Sequence, residues 1–256
     1  MKKEIIKLYS CISKNKDILK KLNIDENILI KILELYETKD NNTYNIVNKK
    51  IYSEINTHSI YYPIGLFNVF IEEDNFYNFF EIILTLFLTK NSANFNIKND
   101  NRIEFIIKLF NELSSQDKFT LSMIKKYNNT LCVGTKKFYE EIISKTYTNV
   151  LFIPANEIVI YKDNTIEYDI PDKNINQLNV VYYNNLELEE VIETINNETS
   201  LYKSIIFSSN QDNIQKFINN VNSKYILVNI LSNDNFLDID LNKFLCVKNI
   251  ILKRGI

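Results

Sequence analysis

Apolar residues recur along the chain with two spacings, and each spacing predicts one kind of secondary structure. Ile5, Leu8 and Ile12 are three or four residues apart, which is the spacing of one face of an amphipathic helix. Short apolar runs such as LFNVFI, residues 66–71, are typical of buried strands. The pattern predicts helices over residues 1–49, 76–88, 101–113, 138–144, 186–195 and 212–221. It predicts strands over residues 52–62 (a strand or hairpin), 66–71, 94–97, 131–133, 150–153, 158–161, 180–183, 204–207 and 225–230.

The order of these elements predicts the fold class. Strands alternate with helices through most of the chain, which indicates an α/β protein with a parallel sheet covered on both faces. The polar segment 162–179, which contains Pro171, is the best candidate for a domain boundary. We therefore expect a Rossmann-like domain over residues 1–165 and a smaller α/β domain over residues 175–256. The tail after residue 230 has a less regular pattern.

Composition narrows the possible functions. The chain has 256 residues, of which 45% are hydrophobic, so it has enough apolar material for a core. The net charge of −2 and the lack of a dense Lys/Arg stripe argue against binding to nucleic acid or to anionic lipid. We recognise no secretory signal, and the apolar segment 76–88 is shorter than the ~20 residues of a membrane-spanning helix. We expect a protein of the cytoplasm that does not enter membranes.

Several segments, in the same order along the chain, resemble motifs of one enzyme family. They are LNIDEN (22–27), YPIGLFNVFIE (62–72), LFLTKNSAN (86–94), LCVGTKKF (131–138), NEIVIYKD (156–163) and residues 186–229. In the last segment Phe217, Val221, Ser223, Val228 and Asn229 fall in step with the family pattern. The chain resembles gamma-glutamyl phosphate reductase, of the aldehyde dehydrogenase superfamily. The resemblance implies a Rossmann-like parallel sheet of the aldehyde dehydrogenase type, followed by a catalytic domain.

The same resemblance shows where the family's catalytic cysteine is expected and is missing. The family's catalytic cysteine lies between the motifs that match residues 156–163 and 186–229. Here only residues 164–186 separate those landmarks, and they contain no cysteine. The resemblance therefore implies a shortened catalytic domain without the thiolate nucleophile, and it assigns no catalytic residue. We expect a non-catalytic homologue that acts as a binding or assembly protein. The alternatives are an NADPH-dependent reductase of gamma-glutamyl phosphate in proline synthesis, and an unrelated doubly wound domain that binds a nucleotide or a protein.

Four residues are candidates for contact with a cofactor. Gly134 and Thr135 form the turn from a predicted strand to a predicted helix, where the alternatives are a simple turn or an anion contact. Glu72 and Asn75 border the loop after residues 66–71, at the edge where α/β sheets bind ligands. The interpretation of the acidic residues 72–74 is a solvated loop, and the alternative is a carboxylate that binds a ribose. Lys90-Asn91-Ser92 and Thr135 add side chains where the family has Ser-Gly-Asn and a second glycine. We therefore expect no cofactor, or only weak NADP binding.

The remaining candidates are the isolated reactive side chains and the chain's open strands. Cys11, Cys132 and Cys246 have no CxxC spacing, which predicts neither a disulfide framework nor a metal site, and Cys132 is expected to be a buried, inert thiol. His58, the single histidine, is expected to have a surface role. Strands such as residues 225–228 and the tail 244–252 can pair with another chain, which predicts a homo- or hetero-oligomer. The alternative is that the tail folds back and closes its own sheet.

Overall fold

The structure is a computed structural model, and it describes most of the chain. The described residues are 2–43, 51–52, 55–72, 76–98, 100–121, 129–146, 150–154, 158–166, 180–184, 187–197, 203–223, 225–229, 237 and 239–253. Every statement below concerns these residues.

Helices and strands alternate along the chain much as the sequence predicts. The helices are α1 (Lys2–Lys14), α2 (Lys16–Lys21), α3 (Glu26–Thr43), α4 (Phe76–Leu88), α5 (Asn101–Ser114), α6 (Lys136–Thr146), α7 (Leu188–Asn197) and α8 (Gln211–Asn220). The strands are β1 (Ile51–Tyr52), β2 (Ile55–Pro63), β3 (Leu66–Ile71), β4 (Ser92–Asn96), β5 (Phe119–Leu121), β6 (Thr130–Gly134), β7 (Val150–Pro154), β8 (Ile158–Lys162), β9 (Val180–Asn184), β10 (Lys203–Phe207), β11 (Tyr225–Val228) and β12 (Leu245–Lys253). A short 3₁₀ helix, Leu241–Phe244, precedes β12.

The strands form three sheets. The five-stranded sheet has the order β5-β4-β3-β6-β7, and its pairs β3–β4 and β4–β5 are parallel. The four-stranded sheet has the order β11-β10-β8-β9, and all three of its pairs are parallel. The third sheet, β1-β2-β12, is antiparallel. The predicted α/β class with parallel sheets is confirmed.

The chain divides into two compact units. The first comprises Met1–Phe70, Phe76–Leu131 and Asp238–Ile256, and the second comprises Ile71–Asn75 and Cys132–Leu237. The boundary predicted within residues 162–179 falls mostly on residues 167–179, which lie outside the described residues. The division of the chain into domains 1–165 and 175–256 therefore stays a prediction.

The core of the first unit is aromatic and centres on α4. Twelve residues of this helix are buried, and apolar side chains occupy most of these positions. The Phe79 ring meets Phe95 of β4 at 5.0 Å between centroids, and the Phe80 ring meets Phe110 of α5 at 5.9 Å. These edge-to-face contacts are the geometry that aromatic pairs prefer, and they fix both helices against the strands.

The second unit has its own apolar core. In it, α7 and α8 bury residues at helical spacing, including Val191, Ile195 and Phe217, together with Tyr161 of β8 and Ile206 of β10. Both helices connect parallel strands, which is the arrangement that the alternating pattern predicts. This core holds the ends of β8 and β10 in place, where a polar cluster described below lies.

The tail of the chain differs from the prediction. Residues 245–253 form one regular strand, β12, whose nine residues all pair with β2. The tail therefore folds back onto its own chain, which was the alternative interpretation. Residues 225–228 form β11 as predicted, and β11 is the last strand on one side of its sheet.

Candidate functional site

The turn between β6 and α6 is built around Gly134 and Thr135. Every residue of β6 is buried, and α6 begins two residues after the strand ends. The Thr135 hydroxyl accepts a hydrogen bond from the Phe138 N–H at 3.3 Å, and the Thr135 carbonyl accepts one from the Tyr139 N–H at 3.0 Å. The Thr135 hydroxyl thus accepts a hydrogen bond from a free N–H group of the first turn of α6, as the side chain of an N-cap residue does.

The carboxylate of Glu72 closes this turn. Glu72 follows β3, and its backbone N–H donates to the Val133 carbonyl at 2.9 Å. Its Oε2 accepts a hydrogen bond from the Thr135 N–H at 2.6 Å, and its Oε1 accepts one from the Thr135 hydroxyl at 3.0 Å. A negative charge at this position is favourable, because the free N–H groups at the start of a helix carry partial positive charge.

Gly134 is required because Glu72 comes so close. A Cβ atom at Gly134 would lie 2.7 Å from Cδ1 of Phe138, 2.8 Å from Oε2 of Glu72 and 2.9 Å from Cβ of Glu72. The space that a side chain would need is filled by groups of this chain. The glycine therefore permits an internal contact at the turn.

The structure brings three of the four candidate cofactor-binding residues together. Gly134, Thr135 and Glu72 form one cluster within the second unit. Asn75 lies outside the described residues, as do the two residues before it. The interpretation of Glu72 as a purely solvated carboxylate needs correction, because its carboxylate is half-buried and accepts hydrogen bonds from Thr135. The other two residues of the proposed loop, 73 and 74, lie outside the described residues.

The interpretation of Lys90, Asn91 and Ser92 also needs correction. Ser92 opens β4 and pairs with Leu66, the first residue of β3, so these residues lie at the amino ends of the strands. Ligands of α/β sheets bind at the carboxyl ends. The fully buried Asn91 has a structural role instead: its Oδ1 accepts from the Gly65 N–H, and its Nδ2 donates to the Phe244 carbonyl, each at 2.8 Å.

The three thiols in the chain differ in burial. Cys132 is fully buried in β6, and burial, helped by the nearby Glu72 charge, raises the pKa of Cys132 to about 12. Cys11 and Cys246 are half-buried, and burial also raises the pKa of Cys11. The expectation that Cys132 is buried is confirmed. The structure places His58 in β2, and its surface role stays a prediction.

A second polar cluster lies at the carboxyl ends of β8 and β10. Asp163 accepts hydrogen bonds from the hydroxyls of Ser208 and Thr165, from the Thr165 N–H at 2.9 Å and from Nδ2 of Asn213 at 3.1 Å. Burial raises the pKa of Asp163, but these hydrogen bonds outweigh it and hold that pKa below its usual value. Asn229 fixes Ser208 through the Ser208 backbone N–H and carbonyl, at 3.0 and 2.9 Å.

Sequence reasoning missed the Asp163 cluster as a feature, although a signal was present. Asp163 is the second residue after the predicted strand 158–161, and Ser208 is the first residue after the predicted strand 204–207. In the sheet order β11-β10-β8-β9, the chain places β9 on one side of β8 and then places β10 on the other side. The point between β8 and β10 is therefore a topological switch point, which is where α/β sheets bind ligands. Here the donors around the carboxylate come from the chain itself, so the cluster ties the two strand ends together.

Comparison with known proteins gives a result for the fold and none for the sequence. No family model matches the chain, and no curated protein matches it in sequence. The structure is similar to that of a 1-pyrroline-5-carboxylate dehydrogenase variant from Thermus thermophilus, with a TM-score of 0.69 and 10% identity over 98% of this chain and 80% of that chain. It is equally similar to betaine aldehyde dehydrogenase from Staphylococcus aureus, solved with NAD+, with a TM-score of 0.69 and 10% identity over 97% and 81%. The chain has the aldehyde dehydrogenase fold.

Within the aldehyde dehydrogenase fold, the closer resemblance to gamma-glutamyl phosphate reductase stays a prediction. The structure of that enzyme from Saccharomyces cerevisiae matches with a TM-score of 0.43 and 14% identity over 99% of this chain and 91% of that chain. A score this low carries no argument for or against the assignment. The similarity to the dehydrogenases, at about one residue in ten, shows the fold alone.

The resemblance of the sequence to gamma-glutamyl phosphate reductase implies a dinucleotide at the turn before α6. The residues present do not fit a pyrophosphate there, because Glu72 already occupies the Thr135 N–H and fills the space beside Gly134. Elsewhere in the described part of the chain, no group of three metal-ligating side chains is present. Likewise, none of the described helices is long and apolar enough to cross a membrane.

Proposed function

We propose that this chain is a non-catalytic protein of the aldehyde dehydrogenase fold, which acts through binding or assembly. The observation that carries the proposal is the contact between the Glu72 carboxylate and Thr135 at the start of α6. A helix N-terminus attracts anions through its free N–H groups, and here the chain supplies the anion itself. An incoming pyrophosphate has to displace a carboxylate that is tethered next to its binding position.

The state of the thiols supports the same proposal. Burial raises the pKa of Cys132 to about 12, well above neutral pH, so Cys132 supplies almost no thiolate at pH 7. The fold's reaction in the reductase alternative needs a thiolate that the substrate can reach. Cys132 is fully buried, which denies it this access.

The proposal has three further parts, on cofactors, location and assembly. We infer that the chain binds NADP weakly or not at all, that it has no metal cofactor, and that it works in the cytoplasm as a homo- or hetero-oligomer. The fold argues against the alternative of an unrelated doubly wound domain. The reductase alternative requires Glu72 to move away from Thr135, and no contact of the described residues favours that movement.

Two measurements test this proposal. Isothermal titration of the intact chain with NADPH is expected to give no saturable binding at micromolar concentrations, and an assay with gamma-glutamyl phosphate and NADPH is expected to show no turnover. A micromolar dissociation constant, equivalent to about −8 kcal/mol, contradicts the proposal that Glu72 keeps a dinucleotide away from the turn before α6. Turnover that survives purification and disappears in Cys132→Ala contradicts the absence of catalysis.

A matched pair of variants shows whether the Glu72 carboxylate is the reason for weak or absent NADPH binding. Glu72→Gln removes the charge at the start of α6, and Glu141→Gln removes one exposed charge further along the same helix. If the tethered carboxylate excludes anions, only Glu72→Gln gains affinity for NADPH or for inorganic pyrophosphate. Equal gains in both variants mean that net charge alone weakens binding, and the turn then plays no special part.

A further inference from the structure

Positive charge is concentrated in the first two helices. Residues 2–21, which form α1 and α2, contain seven lysines and two acidic residues and therefore carry a net charge of +5. The whole chain carries −2, so the remaining residues together carry −7. The small net charge of the protein thus hides a strong separation of charge between these helices and the rest of the chain.

The fold turns a row of these lysines toward solvent. Ile5, Leu8 and Ile12 are at most 1% exposed, so their side of α1 faces the core. Five exposed residues share the opposite side of the helix at helical spacing, and together they form the basic face of α1: Lys3, Ile6, Lys7, Ser10 and Lys14.

The lysines of the basic face are not neutralised by their own chain. Elsewhere in α1 and α2, Lys2 lies 3.8 Å from a carboxylate oxygen of Glu37, and Lys16 lies 3.0 Å from one of Glu26. The three lysines of the basic face form no ion pair with any of the described residues. Their charge is therefore available to a partner.

We propose that the basic face of α1 is the docking surface for a short acidic segment of another protein, which packs an apolar side chain on Ile6. The inference rests on the binding role proposed above and adds the surface and the chemistry of the partner. Ile6 is 56% exposed and lies in the same row as Lys3 and Lys7. An apolar centre with a charged rim is the usual composition of a protein interface, and opposite charges on the partner fix its orientation.

The size and surroundings of the basic face favour a short protein segment over a larger polyanion. Lys3 and Lys14 are about 17 Å apart along the helix axis, which a helical segment of about 12 residues matches. A bilayer or a nucleic-acid duplex extends well beyond this length, so the charge of −7 on the rest of the chain opposes its approach. The apolar side of α1 is buried in the core, so the helix cannot insert that side into a bilayer.

Peptide binding tests the proposal. The probe is a fluorescein-labelled synthetic helical peptide of about 12 residues, with leucine along the centre of one face and glutamate on both sides of it. The control peptide has glutamine in place of every glutamate. Fluorescence anisotropy with the intact chain is expected to show saturable binding of the acidic peptide alone. That binding is expected to weaken as the salt concentration rises from about 0.05 M to about 0.5 M, because salt screens exposed charges.

A triple variant shows whether the basic face is the binding surface. Lys3→Gln/Lys7→Gln/Lys14→Gln removes three charges from this face and is expected to weaken peptide binding about tenfold, equivalent to about 1.4 kcal/mol. Glutamine has nearly the helix propensity of lysine, so α1 is expected to remain folded, which circular dichroism checks.

The matched control removes the same number of charges elsewhere. Lys108→Gln/Lys137→Gln/Lys243→Gln changes three exposed lysines on other elements and is expected to weaken binding by less than about threefold, because salt screens distant charges. Equal losses in the two triple variants overturn the proposal, since net charge alone would then explain the binding.

Other occupants of the basic face would also overturn the proposal. They are recognised by lysine-dependent binding to phosphatidylserine vesicles or to a DNA duplex without binding of the acidic peptide, or by a dimer of the chain that only the first triple variant dissociates. No saturable binding of the acidic peptide at up to millimolar concentration overturns it as well. These measurements are independent of the NADPH titration and the reductase assay, which test the proposed function separately.

Discussion

Glu72 accepts hydrogen bonds from both the backbone N–H and the side-chain hydroxyl of Thr135, at 2.6 and 3.0 Å. The two residues are 63 positions apart in the sequence, so this contact joins the end of β3 to the beginning of α6. Changes at this contact are therefore expected to alter the stability of the protein, which can be measured.

Removal of the Glu72 side chain should destabilise the protein. Glu72→Ala leaves the half-buried Thr135 N–H without its partner, which costs about 1–3 kcal/mol in the free energy of unfolding. Glu141→Ala removes an exposed carboxylate from α6 and should change that free energy by less than about 0.5 kcal/mol. Urea denaturation followed by circular dichroism measures both. Equal stability of the two variants would mean that the Thr135 contact contributes nothing.

Addition of a methyl group at Gly134 should also destabilise the protein, and the effect should depend on Glu72. Gly134→Ala places a Cβ 2.7–2.9 Å from Phe138 and Glu72, and such overpacking costs typically about 1–3 kcal/mol. In the double variant Gly134→Ala/Glu72→Ala, part of the clash is gone. A double-mutant cycle should therefore give a loss smaller than the sum of the two single losses. Strict additivity would contradict the close approach of Glu72 to Gly134.

Cys132 should react with thiol reagents much more slowly than the other two cysteines. Its thiol is fully buried and its pKa is about 12, whereas Cys11 and Cys246 are half-buried. The measurement is the rate of labelling by Ellman's reagent at pH 8 in three variants that each retain one cysteine. Denaturation in urea should bring the three rates together. Fast labelling of Cys132 in the folded protein would show that the β6 thiol is accessible.

Asp163 should make stability depend on pH on the acid side. The pKa of Asp163 is lower in the folded protein than in the unfolded chain, so its stabilising contribution is present above the unfolded pKa of about 3.9. That contribution is lost as the pH falls through the folded value. Asp163→Asn should therefore be less stable than the unmodified protein at pH 7, and the difference should shrink on acidification below pH 4. A constant difference would mean that the hydrogen bonds around Asp163 do not favour its ionised form.

The sequence predicts the elements of this fold better than it predicts their partners. Helix α4 and strand β3 are recognisable because both are mostly apolar segments of characteristic length. Strand β5 has three residues, too few to show a period, and it was not predicted. The regular pairing of β12 was missed because its partner β2 lies far away in the sequence, and periodicity does not identify a partner.

The same distinction applies to the candidate site. Gly134 and Thr135 could be identified because a glycine between an apolar strand and a helix marks a turn at the carboxyl edge of a sheet. The contact of Glu72 could not, because it depends on which strand ends lie side by side. Asn91 was assigned to a ligand-binding edge on the basis of its motif alone. The strand register, which the sequence does not contain, places it at the opposite ends of β3 and β4.

The pairing of β12 with β2 has a consequence for protein synthesis. The nearest paired residues, Pro63 and Leu245, are 245 − 63 = 182 positions apart. At the usual rates of translation, roughly 10–40 seconds pass between the synthesis of the first and that of the second. During that interval the nascent chain carries β2 without its partner strand β12, so the ribosome-bound protein is exposed to wrong strand pairing, and to chaperones that bind such edges, until residues 245–253 emerge.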